Sequence, residues 1–375
     1  MPVSLVYQLF STRDEFAKLQ PEWNELLQRS AANTIFLTWE WISNWWDCFG
    51  ADRQPWVWAV REAGTGKLLG VTPLTRQQYI TRKGLRFHEL AFIGCTLTAP
   101  DHLDFIIDIK YEQALAPLLL QKLMVQRGQW GVLRLNGLAA GSPLCALLRN
   151  KSGYRSSAEE VCPYITLPAD WETFALALSK KMRSNLEYVG RLLERQYPGN
   201  VTYQEVTSQQ ALERSLPTLF RLSRAVRQTH GEAGAFDDNR MREFHQRVAS
   251  QFLNNGWLRL HQLRVGDEVI AMLYCFHYNN VLSYYQSGYD PEWYKYSPGS
   301  QVIAYAIQRA IQEGASEFDF LRGAEPYKFK WTEQVRHDLN LEVTTGVVKK
   351  LHNLYLNVAG FARTAHLQLL RRRPA

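Results

Sequence analysis

The sequence predicts an α+β fold built from two similar layered units. Three observations lead there. Helical and strand-like hydrophobic periods alternate along the chain, the same order of elements occurs twice, and 375 residues suffice for two cores at about 100–200 residues per domain.

The first unit opens with a helix that Ser11 or Thr12 can cap, its apolar face formed by Phe16, Leu19, Trp23 and Leu26. A second helix starts near Thr38 and carries Trp39, Trp41, Ile42, Trp45, Trp46 and Phe49. Most of these residues follow helical spacing, and no basic residues interleave with them, so the tryptophans read as a packed face and not as a nucleic-acid surface. Trp56–Arg61, a turn at Gly64 and Gly66, and Leu68–Leu74 read as strand, turn and strand. Glu112–Gln126 follows as a helix and Trp130–Leu135 as a strand.

The second unit begins near Pro168 with one long basic helix, Trp171–Gln196, followed by a helix over Ser208–Thr229. Trp257–Arg264, the turn Val265–Glu268 and Val269–His277 repeat the hairpin, and Asn279-Asn280 turns the chain into a strand over Val281–Tyr289. Gly299–Gln312 is a helix and Phe318–Leu321 a strand. Lys151-Ser152-Gly153, Ser156-Ser157 and Pro163 interrupt the periodicity between the units. The expected division is therefore 1–165, 166–350 and a helical, basic tail over 351–375 ending in Arg371-Arg372-Arg373. Such a tail docks on the protein or touches an anionic membrane surface.

Composition narrows the function classes. Lys and Arg number 43 against 36 Asp and Glu, a surplus of +7 that permits an anionic partner without naming one. Five scattered cysteines without a CxxC pair fit a reducing compartment, and the chain is read as cytoplasmic. It starts without a basic run leading into an apolar signal core, and no stretch reaches the roughly 20 apolar residues of a membrane span.

Several motifs fail on inspection. Gly64-Thr65-Gly66-Lys67 has Arg61 and Leu68 where a Walker loop needs Gly and Ser or Thr. Asp101-His102-Leu103-Asp104 offers ligand chemistry, yet the nine histidines contain no HxH or HxxxH pair, so no metal is expected. There is no GxSxG elbow.

Two constellations remain. The succession Val281–Tyr289, Asp290–Pro298 and the helix from Gly299 brings backbone amides at Gly299, Ser300 and Gln301 to a helix N-terminus, where Lys295 adds charge for an anion. Downstream, strand alternation sends Phe318 and Phe320 to one face and Asp319 to the other, and Arg322, Tyr327 and Lys328 follow as a polar set.

Four stretches resemble the CelD/BcsL-type acetyltransferases of the GNAT superfamily, which are associated with cellulose and exopolysaccharide production. They are Phe36–Trp41 with Trp45; Leu178–Leu186; Ser297-Pro298-Gly299; and Phe318–Trp331 with its Arg322-Gly323 and Tyr327-Lys328. The resemblance implies tandem GNAT-like folds, each a mixed, mostly antiparallel sheet flanked by helices, as in the related FemABX-type transferases. It implies an acetyl-CoA or other acyl-CoA donor in the second unit, with phosphates near Tyr296–Ser300. On that basis Gln286, Ser287, Lys295, Ser297, Gly299 and Ser300 are expected at the donor. Asp319 or Glu325 would accept the amine proton and Tyr327 would protonate the thiolate. Arg183, Arg322 and Lys328 would hold phosphate or an anionic acceptor, and Asp101, His102 and Asp104 of the first unit would contact the acceptor.

The alternative donor is aminoacyl-tRNA, for which Lys180, Lys181, Arg183, Arg191 and Arg195 form a partial basic surface. A non-catalytic accessory protein of polysaccharide synthesis is the third reading. The expected partner is a small-molecule or envelope-precursor acceptor, with peripheral contact to a membrane or synthase as an option and no DNA.

Overall fold

The computed structural model describes residues 4–346 and 348, apart from 81–83, 85, 96, 150, 152 and 230. The tail over 351–375, with its basic end, lies outside the described residues. The first half runs β1 (Leu5–Phe10), α1 (Arg13–Ala17), α2 (Gln20–Gln28), α3 (Trp39–Phe49), β2 (Arg53–Pro55), β3 (Val57–Glu62), β4 (Leu68–Val71), β5 (Leu74–Ile80), β6 (Arg86–Phe92), β7 (Ile106–Ile107), α4 (Glu112–Val125), β8 (Val132–Ala139), α5 (Pro143–Arg149) and β9 (Tyr154–Thr166). The second half runs α6 (Trp171–Ala177), α7 (Lys180–Gln196), β10 (Val201–Glu205), α8 (Gln209–Thr229), α9 (Asn239–Asn254), β11 (Leu258–Val265), β12 (Glu268–Tyr278), β13 (Val281–Tyr289), α10 (Pro298–Gln312), β14 (Glu317–Asp319) and β15 (Val335–Thr344).

Local chemistry explains the boundaries. Thr12 accepts the Glu15 amide while the Glu15 carboxylate accepts the Thr12 amide, a capping box that starts α1. Pro21 then opens α2, so the single helix expected from Phe16 to Leu26 is two. Thr38 caps α3, whose Trp41, Ile42 and Trp45 are fully buried. The long helix expected over Trp171–Gln196 also divides: Leu178 turns extended, and Ser179 caps α7 by accepting the Met182 amide at 3.2 Å. Asn279 and Asn280 take φ of 50° and 60°, the left-handed pair that a tight hairpin between β12 and β13 requires. The stretch read as an interruption of periodicity is largely the thirteen-residue strand β9.

A four-stranded sheet, β1-β3-β4-β7, lies beside an eleven-stranded sheet ordered β10-β11-β12-β13-β14-β9-β15-β8-β6-β5-β2. Most neighbours are antiparallel, but β6 runs parallel to β8 and β13 parallel to β14. Each parallel pair is joined through a helix, α4 or α10, so the two halves repeat one crossover. The halves also exchange strands. β9 of the first half pairs with β14 of the second, and β15 of the second pairs with β8 of the first. Because β9 and β15 pair with each other as well, one continuous sheet runs through both halves.

Two apolar clusters cover the faces of this sheet. One surrounds α10 with Val302, Ile307, Phe318 and Leu193. The other runs unbroken from the first half into the second, where Trp41 of α3 packs edge-on against Phe244 and Phe276. Gly288 marks the closest approach: a β-carbon there would lie 2.2 Å from the Ser223 amide nitrogen, so α8 rests its backbone directly on β13. The five cysteines are free, and among the described residues no helix is long and apolar enough to cross a membrane.

Candidate active site

The β13–β14 ladder is short. It pairs Val281 with Glu317, Leu282 with Phe318 and Ser283 with Asp319, and then β13 continues to Tyr289 without β14, paired with β12 on its other side. Opposite Tyr274 and Cys275 the register of β13 slips by one residue, a bulge at Tyr285 that increases the local twist. The free edge of β13 leads through the turn Pro291–Tyr296 to the N-terminus of α10. Tyr327, 36% exposed, meets Tyr284 of this strand, its hydroxyl donating to the Tyr284 hydroxyl at 3.3 Å. Burial and the neighbouring Tyr284 hold the Tyr327 phenol well above its ordinary pKa.

The equivalent gap in the first half is filled. Beyond the Ala91–Arg134 rung, β8 continues without β6, and Leu103 takes the vacant edge. The Leu103 amide donates to the Gly137 carbonyl at 2.7 Å, and the Ala139 amide donates to the Leu103 carbonyl at 3.0 Å. The segment that occupies this first gap therefore carries Asp101, His102 and Asp104, the polar residues that the sequence had singled out, to the seam between the halves.

At the seam His102 takes a left-handed φ of 55°, a conformation that costs a non-glycine residue of order 1–3 kcal/mol. Three bonds hold it. Its Nε2 lies 2.9 Å from Asp319 Oδ2, its Nδ1 lies 2.9 Å from Asp338 Oδ1, and its amide donates to Asp338 Oδ2 at 2.6 Å. Burial disfavours charge on the ring, yet the two carboxylates outweigh it and raise the His102 pKa well above its ordinary value. Asp319 is buried too, but His102, Arg336 and the Leu321 amide together depress its pKa. Cys162 lies close enough that its sulfur and the donor atoms of His102 and Asp338 fall within 4.8 Å of one another. Both ring nitrogens of His102 already face carboxylates, so the set reads as a hydrogen-bonded cluster.

A second tie lies alongside. Asp101 is buried and forms an ion pair with the Arg322 guanidinium, which also donates to the Pro100 carbonyl, while the Arg322 amide donates to Asp101 at 3.0 Å. Lys328, 3% exposed, donates to the carbonyls of Leu321 at 3.2 Å and Arg322 at 2.6 Å, and it meets Glu325 at 3.0 Å. It thereby closes the loop that follows β14.

A cavity of about 450 Å³ opens on this seam. Ser283 and Asp319, the last rung before β13 and β14 part, form one wall. His102, Asp104 and Ser142 of the first half form another, and Thr34 and Glu112 complete it. Burial pushes the Asp104 carboxyl up to about 7, despite the hydrogen bonds from Ser142 and the Phe105 amide.

The expected site residues thus separate into groups. Asp101, His102, Asp104, Asp319 and Arg322 meet at the seam, with Lys328 behind them. Tyr327, Tyr284 and Ser287 meet at the gap, the last two through their hydroxyls. Other expectations change. The Gln286 side chain turns to α8 and donates to Ser223 at 2.7 Å, which leaves only its backbone at the strand edge. The Ser300 and Gln301 amides bond back to the Ser297 carbonyl at 3.0 and 3.1 Å, so the start of α10 presents fewer free donors than expected. Ser297 itself has a φ of 47° and makes no side-chain cap, Gly299 lies against the Tyr289 ring, and Lys295 is exposed over the Tyr296 ring. Arg183 caps the end of α6 through the Ala175 and Leu176 carbonyls, and Glu325 is half exposed. Arg183, Arg322 and Lys328, expected to hold an anion, are therefore engaged within the protein. Asp338, Glu112, Thr34 and Ser142 were not anticipated. No local pattern marks them, because only the strand exchange and the segment 101–105 bring them together.

Residues 180–329 match the family described as Acetyltransferase (GNAT) domain. No curated protein matches the chain. Among solved structures the chain is similar to FemX, at 10% identity and a TM-score of 0.62, over 89% of this chain and 98% of that one. It is also similar to a protein of unknown function from Bacteroides thetaiotaomicron, at 11% identity and a TM-score of 0.56, over 87% and 97% of the two chains. The C-terminal domain of a protein from Agrobacterium fabrum named as a lysylphosphatidylglycerol synthetase gives 13% identity and a TM-score of 0.52, over 91% and 96%. Topology and comparisons agree: this is a tandem GNAT-like, α+β fold, the fold of GNAT-type N-acyltransferases.

Proposed function

We propose that the protein is an acyl-CoA-dependent N-acyltransferase whose donor enters the gap between β13 and β14. The observation that carries this reading is the asymmetry of the two crossovers. In the second half the edge of β13 is unpaired from Tyr284 onward and leads to a helix N-terminus, whereas Leu103 occupies the corresponding edge in the first. An extended pantetheine arm can bond to such an edge as an added strand, with the phosphates at the positive end of α10. The first half then supplies the acceptor side, and the division into 1–165 and 166–350 describes those two roles.

Acyl transfer to an amine needs a polarised carbonyl, a proton acceptor for the amine and a proton for the departing thiolate. Backbone amides beside the Tyr285 bulge are placed to polarise the carbonyl. Tyr327, whose phenol stays protonated, suits the thiolate. Asp319 is a weak proton acceptor, because His102 holds it in its ionised form with a depressed pKa. Asp104, pushed up to about 7, matches the task better. A role near exopolysaccharide or envelope synthesis, as in CelD/BcsL-type proteins, accords with the motifs of the sequence.

Thermal melting with acetyl-CoA tests the donor. Saturating ligand stabilises a folded protein by about 2.7 kcal/mol at a hundred times its dissociation constant, so the melting temperature should rise. Gly299→Glu should remove that rise: it sets a carboxylate where the phosphates would lie, and it is compatible with a helix start. No shift with acetyl-CoA, or an unchanged shift in Gly299→Glu, would overturn the reading.

A further inference from the structure

His245 of α9 is fully buried and stands apart from the seam cluster, beside the bulge of β13. The extra residue of a bulge breaks strand alternation. Tyr285 and Gln286 accordingly both turn to the side of α8 and α9, while Tyr284 and Ser287 meet on the other face. Gln286 is held by Ser223, and Tyr285 is held at its hydroxyl, which donates to the Thr98 carbonyl at 2.8 Å and lies 3.3 Å from His245 Nε2. A phenol has one proton, and the shorter contact takes it, so His245 Nε2–H is the donor in the longer one. Burial lowers the His245 pKa to about 3, so the ring is neutral and Nδ1 carries no proton. Nδ1 then accepts from the Tyr274 hydroxyl of β12, 3.5 Å away. The bonds run in one direction, from Tyr274 through His245 and Tyr285 to Thr98. They tie the bulged strand of the second half to the buried start of the first-half segment that leads into Asp101 and His102.

We infer that His245 is a positioning residue for acyl transfer: acting through Tyr285, it braces the β13 bulge against Thr98 and thereby fixes the amides beside the bulge toward the donor carbonyl. The inference deepens the acyltransferase reading and rests on it. Position supports the assignment, because Tyr274 and Cys275 are the β12 residues opposite the bulge, so the relay starts where the register slips. Chemistry supports it too. Trp41, Phe236 and Phe244 surround the imidazole edge-on, and among the described residues the two tyrosine hydroxyls are its hydrogen-bond partners. An apolar side chain would fill such an aromatic pocket at less cost than an imidazole, whose two nitrogens each need a partner.

Calorimetric titration of the full chain with acetyl-CoA and with CoA tests the role, because the two ligands differ only in the acyl group whose carbonyl the bulge amides would meet. The wild type should bind acetyl-CoA roughly fivefold more tightly than CoA, the worth of one neutral hydrogen bond. Tyr285→Phe and His245→Leu should each cut that preference below about twofold while the affinity for CoA itself stays within about twofold of wild type. His245→Gln, which can set an amide N–H near the Nε2 position, should restore the preference. Tyr285→Phe removes a single oxygen and keeps the ring against Trp41 and Phe276, so the test stands even if His245→Leu does not fold. In heteronuclear NMR of the ligand-free chain at neutral pH, the His245 ring should carry its proton on Nε2. A proton on Nδ1 would reverse the relay and overturn the inference. An unchanged preference in Tyr285→Phe, or an equal loss of affinity for both ligands, would also overturn it, the latter by reducing His245 to a packing role. Equal binding of CoA and acetyl-CoA by the wild type would overturn the positioning role and leave the donor reading standing. Binding of neither would overturn the donor reading and the assigned role with it.

Discussion

His102 Nε2 and Asp319 Oδ2 lie 2.9 Å apart although 217 residues separate them in the chain. The contact joins the segment that fills the gap in the first half to the strand that borders the open gap in the second. With Asp338 on the other ring nitrogen, it forms a buried charge cluster across the seam.

Stability should depend on this cluster in a pH-dependent way. His102→Gln should destabilise the chain by about 3–5 kcal/mol near neutrality, the range for removing one partner of a buried pair. Because the folded-state pKa of His102 lies above the ordinary 6.5, its contribution is complete below that value and disappears as pH rises through the folded-state pKa. Asp319 has the opposite sign: its depressed pKa stabilises above the ordinary 3.8, and that part is lost as pH falls through the folded-state value. Urea melts of wild type and His102→Gln should therefore differ most at weakly acidic to neutral pH and converge at alkaline pH. A difference that grows with alkalinity would contradict the charge assignment.

Arg322 should not tolerate lysine. Its guanidinium pairs with Asp101 and also reaches the Pro100 carbonyl, a fork that a single ammonium cannot reproduce. Arg322→Lys should cost about 2–3 kcal/mol in denaturant unfolding. Lys295→Ala, at an exposed position, should leave stability unchanged and serves as the control.

Gly288→Ala should destabilise by about 1–3 kcal/mol through overpacking, since the new methyl would meet Leu222 and Ser223 of α8. Gly64→Ala, where a β-carbon meets nothing within 4 Å, should be silent in the same unfolding measurement.

Activity should separate the two proton carriers. Tyr327→Phe should lower kcat by about a hundredfold, the lower range for loss of a general acid, while the acetyl-CoA thermal shift is retained. If Asp104 accepts the amine proton, kcat/KM for the amine should rise as pH passes about 7 and the group ionises. That limb should vanish in Asp104→Asn. A limb that persists in the variant would assign the ionisation elsewhere.

Much of the fold was legible because its signals are local. Thr38 before the tryptophan-rich helix, Asn279-Asn280 between strands and the repeated hairpin act within a few residues of themselves. Alternation also set Asp319 apart from Phe318 and Phe320. The site was less legible. Arg322 and Lys328 looked like anion ligands because a sequence shows a charge without its partner, and their partners include backbone carbonyls that no sequence pattern marks. Asp338 lies 236 residues from the histidine it orients.

By itself the sequence determined the α+β class, the doubled order of elements and the residues able to carry chemistry, because hydrophobic period, caps and turns are short-range properties. Tertiary structure alone decided which crossover stays open and which charges are paired. Those outcomes depend on the exchange of β9 and β15 and on Leu103 bonding to the edge of β8. Such long-range pairings form only when the two halves fold against each other.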